Sequence, residues 1–304
     1  MERVLSIVVD SQMLQTASQV GQLVKQQCGL TQKQISRLKF QENGIIKNGM
    51  KCRVTEPIHI GDVIRICIEE TRTDSAHIQG TAGDLDILYE DLDLLIVNKP
   101  AGMVTHPQGM HYQDTLVNRV QSYFQKKGEN YCIRPVGRLD KETSGIVVFA
   151  KNRVAASNLQ WQREQGIFQK RYLAYVRGQM EVSEQIHTIC RNIGVDPQDS
   201  RKMIVDERGK YACTHYRVVD SWNQCSMIEL WLETGRTHQI RVHMASCGYP
   251  LLGDQLYGMN GQEKFYRAAL HAEKVKLKHP VTGKWLEVKA ELPEDMKQVM
   301  RGRR

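Results

Sequence analysis

Apolar residues alternate, cluster and space out along this chain in ways that divide it into elements before any chemistry is considered. Within 12–70, helical spacing predicts one helix over 14–27. A second is entered at Thr31, whose short hydroxyl side chain suits an N-cap, and Gly44 is its expected stop. IIKNGMKCRVT follows, with Asn48-Gly49 as a hairpin signal. IGDVIRICIEE then alternates as a strand, with Val63 and Arg65 on one face and Ile64 and Ile66 on the other. Farther on, ILYEDLDLLIVNKP holds two β-like runs, and apolar residues at 116, 117, 120 and 124 carry helical spacing. The run from Ile146 to Phe149 predicts a strand over 146–150. Asn152 is placed to cap a helix reaching 165, with Gly166 closing it. FQKRYLAYVRG alternates again, which sets Phe168, Lys170, Tyr172, Ala174 and Val176 on one strand face. A strand at 226–233 leads into a helix capped by Thr237 and ended by Gly248. Strands dominate and their connections are mixed, so the expected fold class is α+β, built on a largely antiparallel sheet.

The polar, small-residue stretch TRTDSAHIQGTAGD at 71–84 reads as a linker. It splits the chain into a small α/β unit at 1–70 and a larger one at 85–304, a division that suits 304 residues. The last residues, KQVMRGRR, form a basic tail expected to fray. A hydrophobic content of 41% with 25% charged residues is ordinary for a globular protein. No apolar run approaches the roughly 18 residues of a membrane helix. MERVLSIVVD lacks the basic start and long apolar core of a signal peptide, so the expected location is the cytoplasm. The eight cysteines (28, 52, 67, 132, 190, 213, 225 and 247) are scattered without a C-x-x-C pair and are read as free thiols. His238 and His243, five apart on an expected helix, face different ways, and no metal site is expected.

Charge changes the picture through its placement. The net is +8, and residues 134–177 carry nine Lys or Arg against three acidic residues, whereas 1–80 carry ten against eight. Such a concentration attracts phosphate backbones in a salt-dependent, sequence-independent way. It surrounds the string GRLDKETSGIVVFAKN at 137–152, in which Asp140 lies between Arg138 and Lys141 at the mouth of an expected strand. Neighbouring cations favour an ionised carboxylate, which suits a nucleophile better than a general acid. Taken alone, the RLD tripeptide more often marks a surface turn with a structural Asp–Arg pair.

The whole string resembles the signature of RluA-type pseudouridine synthases. The resemblance continues in order through VNKPAGMVTHP at 97–107, KRYLAYVRG at 170–178, ETGRTHQIRVHMASCGYPLLGDQLYG at 233–258 and LHAEKVKLKHPVTG at 270–283. It implies an enzyme that isomerises uridine to pseudouridine in structured RNA, with large-subunit rRNA as the expected substrate, Asp140 as nucleophile and Tyr172 stacking on the target base. By the same resemblance Arg241 pairs with the catalytic carboxylate, and Arg138 enters the RNA stack as the nucleotide leaves it. Leu270 and His271 are expected to line the pocket. Gly137 stands where many family members have histidine. No cofactor or metal is implied, because turning an N-glycoside into a C-glycoside needs a nucleophile or base, a stacking partner and a positioning cation. The expected partner is RNA rather than DNA or a membrane, and the expected state is a monomer.

The order of two helices, a hairpin and a GDVI strand in 1–70 resembles the small alpha-L RNA-binding domain. Its second helix carries only Lys33, Arg37 and Lys39, fewer cations than that family usually has. Two other classes of function compete. A non-catalytic RNA-binding or assembly protein would not need Asp140, Tyr172 and Arg241 together. A glycoside-type hydrolase would want two carboxylates converging on one bond, and the motif offers only Glu142 beside Asp140.

Overall fold

Two sheets organise the chain in this computed structural model, which describes residues 2–69, 78–129, 131, 133–258 and 265–301. The smaller holds β1 (Glu2–Val8), β2 (Ile45–Lys47), β3 (Met50–Lys51) and β4 (Val63–Glu69) in the antiparallel order β1-β4-β2-β3. Helices α1 (Ser11–Leu14), α2 (Val20–Cys28) and α3 (Gln32–Leu38) accompany it. Leu23, Val24, Ile35, Ile64 and Ile66 bury together, as the alternation in β4 predicts. Asn48 and Gly49 both take positive φ in the β2–β3 turn, and Thr31 caps α3 in a reciprocal box with Gln34.

Three details of this unit differ from the sequence expectation. The helix expected over 14–27 is broken, because Gln19 is extended and side chains replace the helical bonds there. Ser18 N–H donates to Gln22 Oε1 at 2.8 Å, and Gln26 Nε2 donates to the Thr16 carbonyl at 2.7 Å. Helix α3 ends at Leu38 rather than Gly44. Strand β1, read from sequence only as a chain start, pairs with β4 along its whole length.

The larger sheet holds β5 (Asp86–Glu90), β6 (Leu94–Lys99), β7 (Arg134–Pro135), β8 (Ser144–Ala150), β9 (Gln169–Arg177) and β10 (His187–Cys190). After a separate two-stranded sheet of β11 (Ile193–Val195) and β12 (Met203–Val205), it continues with β13 (Cys213–Trp222), β14 (Cys225–Leu232), β15 (Leu270–Lys278) and β16 (Trp285–Lys289). Its order is β10-β13-β14-β9-β15-β8-β6-β5, with β16 beside β15 and β7 beside β8. Among the described strands only β8 and β15 pair in parallel, so the domain is α+β on a largely antiparallel sheet.

Four helices attend this sheet: α4 (Leu116–Lys126), α5 (Arg153–Glu164), α6 (Gln239–Ser246) and α7 (Glu294–Arg301). Strand β8 is buried throughout, and apolar after Ser144, because both of its faces are covered. Val147 and Phe149 join Leu116, Val120 and Phe124 of α4, while Ile146, Val148 and Ala150 join Ala155 and Leu159 of α5. Asn152 caps α5 by accepting from Ala155 N–H at 2.8 Å, and Gly166 at φ 68° closes it, both as predicted. The two units touch through α5. Gln34 Nε2 donates to Ser157 Oγ at 2.7 Å, and Val154 buries in the core of the small unit.

The cysteine reading needs correction. Cys190 and Cys213 form a disulfide, while Cys28, Cys52 and Cys247 are free and Cys132 lies outside the described residues. The pair stands directly opposite on β10 and β13, a register that a separation of 23 residues does not reveal. Residues 71–77 of the expected linker and 302–304 of the expected tail also lie outside the described residues. No helix among the described residues is long and apolar enough to cross a membrane.

Candidate active site

Strand β8 begins immediately after the turn that carries Asp140, and the segment after β6 holds that turn in place. Lys99, fully buried, donates from Nζ to the carbonyls of Pro100 at 2.9 Å, Met103 at 2.7 Å and Lys141 at 3.2 Å. Burial pushes its amine down to about 7, against the pull of the Asp140 and Glu142 charges. Three acceptors match the three N–H bonds of an ammonium. Thr105 Oγ1 donates to the Leu139 carbonyl at 2.9 Å, and Gly102 N–H donates to the Lys141 carbonyl at 2.8 Å. The 97–107 motif thus clamps the Asp140 turn. Neither Lys99 nor Thr105 carries an assigned role in the sequence reading, although both stand in a motif it quotes.

The turn opens onto a cleft of about 850 Å³. Asp140, Arg138, Tyr172, Arg241 and Leu270 all line it, on four separate segments. Tyr172 is buried on β9 and no described residue hydrogen bonds its hydroxyl. Burial, with the Asp140 charge adding, pushes its phenol well above the usual range. Asp140 is half-buried, and no described residue hydrogen bonds its carboxylate. Its charge is nevertheless felt by Tyr172, Arg241 and His238.

The expected pairing of Arg241 takes a different form. Arg241 Nε and Nη2 donate to the two carboxylate oxygens of Asp254, each at 2.7 Å, in a buried bidentate pair. Asp254 also accepts from Leu256 N–H at 3.0 Å, so a local turn aims it at the guanidinium. Asp140 therefore meets Arg241 as a neighbouring charge rather than as its forked partner. Helix α6, which carries Arg241, takes its cap one residue later than predicted, at the left-handed His238 (φ 55°). Thr237 is not its cap. Its hydroxyl accepts from Arg138 Nη2 at 2.6 Å, tying the exposed Arg138 across the cleft. Gln239 holds the intervening loop, accepting from Thr234 Oγ1 at 2.8 Å and Arg236 N–H at 3.0 Å.

Of the two residues expected at the pocket from β15, only Leu270 reaches it. His271 is fully buried on the opposite face, because neighbours on a strand point opposite ways. Its Nδ1 meets Ser144 Oγ at 2.9 Å, and burial pushes the imidazole down to about 4. Glu142, the other carboxylate of the motif, is not among the residues lining the cleft.

Metal-ligating types gather at two places among the described residues. One, Cys213 with His215 and Glu233, includes a disulfide-bonded sulfur. In the other, Asp91 spends its oxygens on Tyr89, His279 and the N–H groups of Asp93 and Leu94.

Comparison with known proteins places the chain among relatives. A family model described as RNA pseudouridylate synthase matches residues 93–246. An uncharacterized RNA pseudouridine synthase of Bacillus subtilis strain 168, YhcT, is 41% identical over 239 residues, spanning 78% of each chain. Ribosomal large subunit pseudouridine synthase D of Zymomonas mobilis is 40% identical over 233 residues, spanning 73% of each. Among solved structures, human RNA Pseudouridylate Synthase Domain Containing 1 superposes with a TM-score of 0.58 at 27% identity. That match covers 73% of this chain and 95% of the human one.

Proposed function

This chain belongs to the RNA pseudouridylate synthase family, and from that membership we propose that it isomerises uridine in large-subunit rRNA, with Asp140 as the nucleophile. The observation that carries the proposal is a carboxylate that no described residue hydrogen bonds, in a cleft that also presents a buried tyrosine and a cation. Relatives named as large subunit pseudouridine synthases support the choice of RNA.

In this reading the target uridine leaves its stack and enters the cleft, where its base lies against Tyr172 and Leu270. With Asp140 acting at the sugar–base junction, the N1–C1′ bond breaks, the base turns within the cleft and C5 bonds to C1′; C5 then loses its proton to solvent while N1 takes one up. Tyr172, whose phenol is held protonated, keeps a proton to give or share at the detached base. Arg241, locked by Asp254, supplies a fixed positive charge that stabilises the carboxylate without occupying its lone pairs. Arg138 gives up Thr237 and fills the place that the uridine vacates. The unit at 1–70 acts as an alpha-L-type RNA-binding domain that extends the contact surface. The protein works as a cytoplasmic monomer without cofactor or metal.

The test is tritium release from unmodified rRNA carrying uridine labelled at C5, with Asp140→Asn beside wild type. Wild type is expected to release tritium and Asp140→Asn to release none above background, while both bind the RNA alike. Residual turnover within about tenfold of wild type would remove Asp140 from the chemistry.

A further inference from the structure

The cleft contains a cation to which the reaction above gives no task. Arg163 stands one residue before the end of α5, half-buried, and its guanidinium reaches between the two loops that bound the cleft. A Cβ built on Gly137 would lie 3.5 Å from its Cζ, and one on Gly235 would lie 3.4 Å from its Nη2. Among the described residues its one side-chain hydrogen bond runs from Nη1 to Gln160 Oε1 at 3.5 Å, the outer limit of such a contact. An arginine carries five N–H donors, so most of this fork is unspent. The adjacent Glu164 is exposed and accepts from Gln160 instead.

Lys170 lines the same wall and donates from Nζ to the Ile146 carbonyl at 2.8 Å. Burial and the nearby Arg163 charge push its amine down to about 7. The Arg163 fork therefore faces the cleft without a bonded carboxylate. A nucleotide drawn into the cleft brings a base and two flanking phosphates. Tyr172 and Leu270 suit the base, and Asp140 repels a phosphate. A planar guanidinium with free parallel donors is the group that matches one.

We propose, building on the synthase reading, that Arg163 is a phosphate-binding residue of this cleft whose fork holds a phosphodiester adjoining the flipped-out uridine. The contact fixes the sugar of the target nucleotide over Asp140 and acts in binding and positioning, not in bond breaking.

The test measures binding of an unmodified large-subunit rRNA transcript between about 50 and 200 mM KCl. Wild type is compared with Arg163→Gln, Arg163→Lys and Arg208→Gln, the last removing an exposed charge paired to Asp206 away from the cleft. Arg163→Gln is expected to bind about tenfold more weakly at low salt, as the loss of a charged hydrogen bond predicts. Its log–log salt slope should be shallower by about 0.7–0.9, the share of one phosphate. Arg163→Lys keeps the slope but loses affinity several-fold, because an ammonium cannot form the fork. A wild-type slope in Arg163→Gln, or an equal change in Arg208→Gln, overturns the proposal; a contact to the base edge would give the first of these results. Should Arg163→Gln fail to fold, wild-type affinity in Arg163→Lys overturns it equally. Tritium release by wild type on the same RNA is scored separately. A slope change without release would sink the synthase reading and leave the anion site standing, and release with an unchanged slope would do the reverse.

Discussion

Arg241 and Asp254 illustrate what a motif discloses about single residues and what it withholds. The string ETGRTHQIRVHMASCGYPLLGDQLYG contains both, and the resemblance assigns the arginine to the catalytic carboxylate. Which of several carboxylates a guanidinium takes is decided by a turn at 254–257 and a helix start at His238, neither of which spacing specifies. Asp140, Tyr172 and Leu270 come together in the cleft because strand ends and alternation are legible. His271 escapes for the same reason, one residue out of phase. The buried pair carries a prediction. Asp254→Asn leaves a buried guanidinium without its carboxylate, which costs about 3 kcal/mol in comparable cases. Urea denaturation should register that loss. Single-turnover rates should fall as well, since the charge beside Asp140 is no longer held. A variant with wild-type stability and rate would show that Asp254 positions nothing.

At the scale of elements, capping and continuous apolar runs were legible, and long-range pairing was not. Thr31 and Asn152 cap helices as their side chains suggest, and β8 stands where Ile146 to Phe149 indicate. The break at Gln19, strand β1 and the pairing of β10 with β13 depend on partners far along the chain, which local patterns do not encode. The parallel pairing of β8 with β15 is one such contact, and Gly145 is its pivot. Gly145 has φ 110°, and a Cβ there would lie 2.6 Å from the Ala272 backbone nitrogen and closer still to its carbonyl oxygen. Any side chain would push β15 away from the strand that follows the Asp140 turn. Gly145→Ala is therefore expected to destabilise by about 2–3 kcal/mol, from backbone strain and overpacking together. The check is the urea midpoint at unchanged slope. A change below about 0.5 kcal/mol, the level of an ordinary surface substitution, would mean that the two strands can part without cost.

Across the whole molecule the two sheets share α5: Val154 buries with the small unit while Ala155 and Leu159 bury with the large one. The same helix sets Arg163 in the cleft, so the small unit and the site share this element. Global stability should also record the histidine that lies behind the cleft. His271 is pushed down to about 4 in the folded chain and titrates near 6.5 when unfolded. Between those values the unfolded state binds the extra proton, so stability rises with pH there. The contribution is fully present above about 6.5 and is lost as pH falls towards 4, on the order of 3 kcal/mol. Asp62, held at about 2 by its hydrogen bond from Lys47, yields only at lower pH and does not confuse this window. His243, buried and also held below its usual range, adds a slope of the same sign. His271→Asn should therefore flatten the fall in unfolding free energy between pH 6.5 and 4 without abolishing it. An acid profile identical to wild type would mean that His271 carries its proton in the native core, against its carbonyl and hydroxyl partners at Ala290 and Ser144.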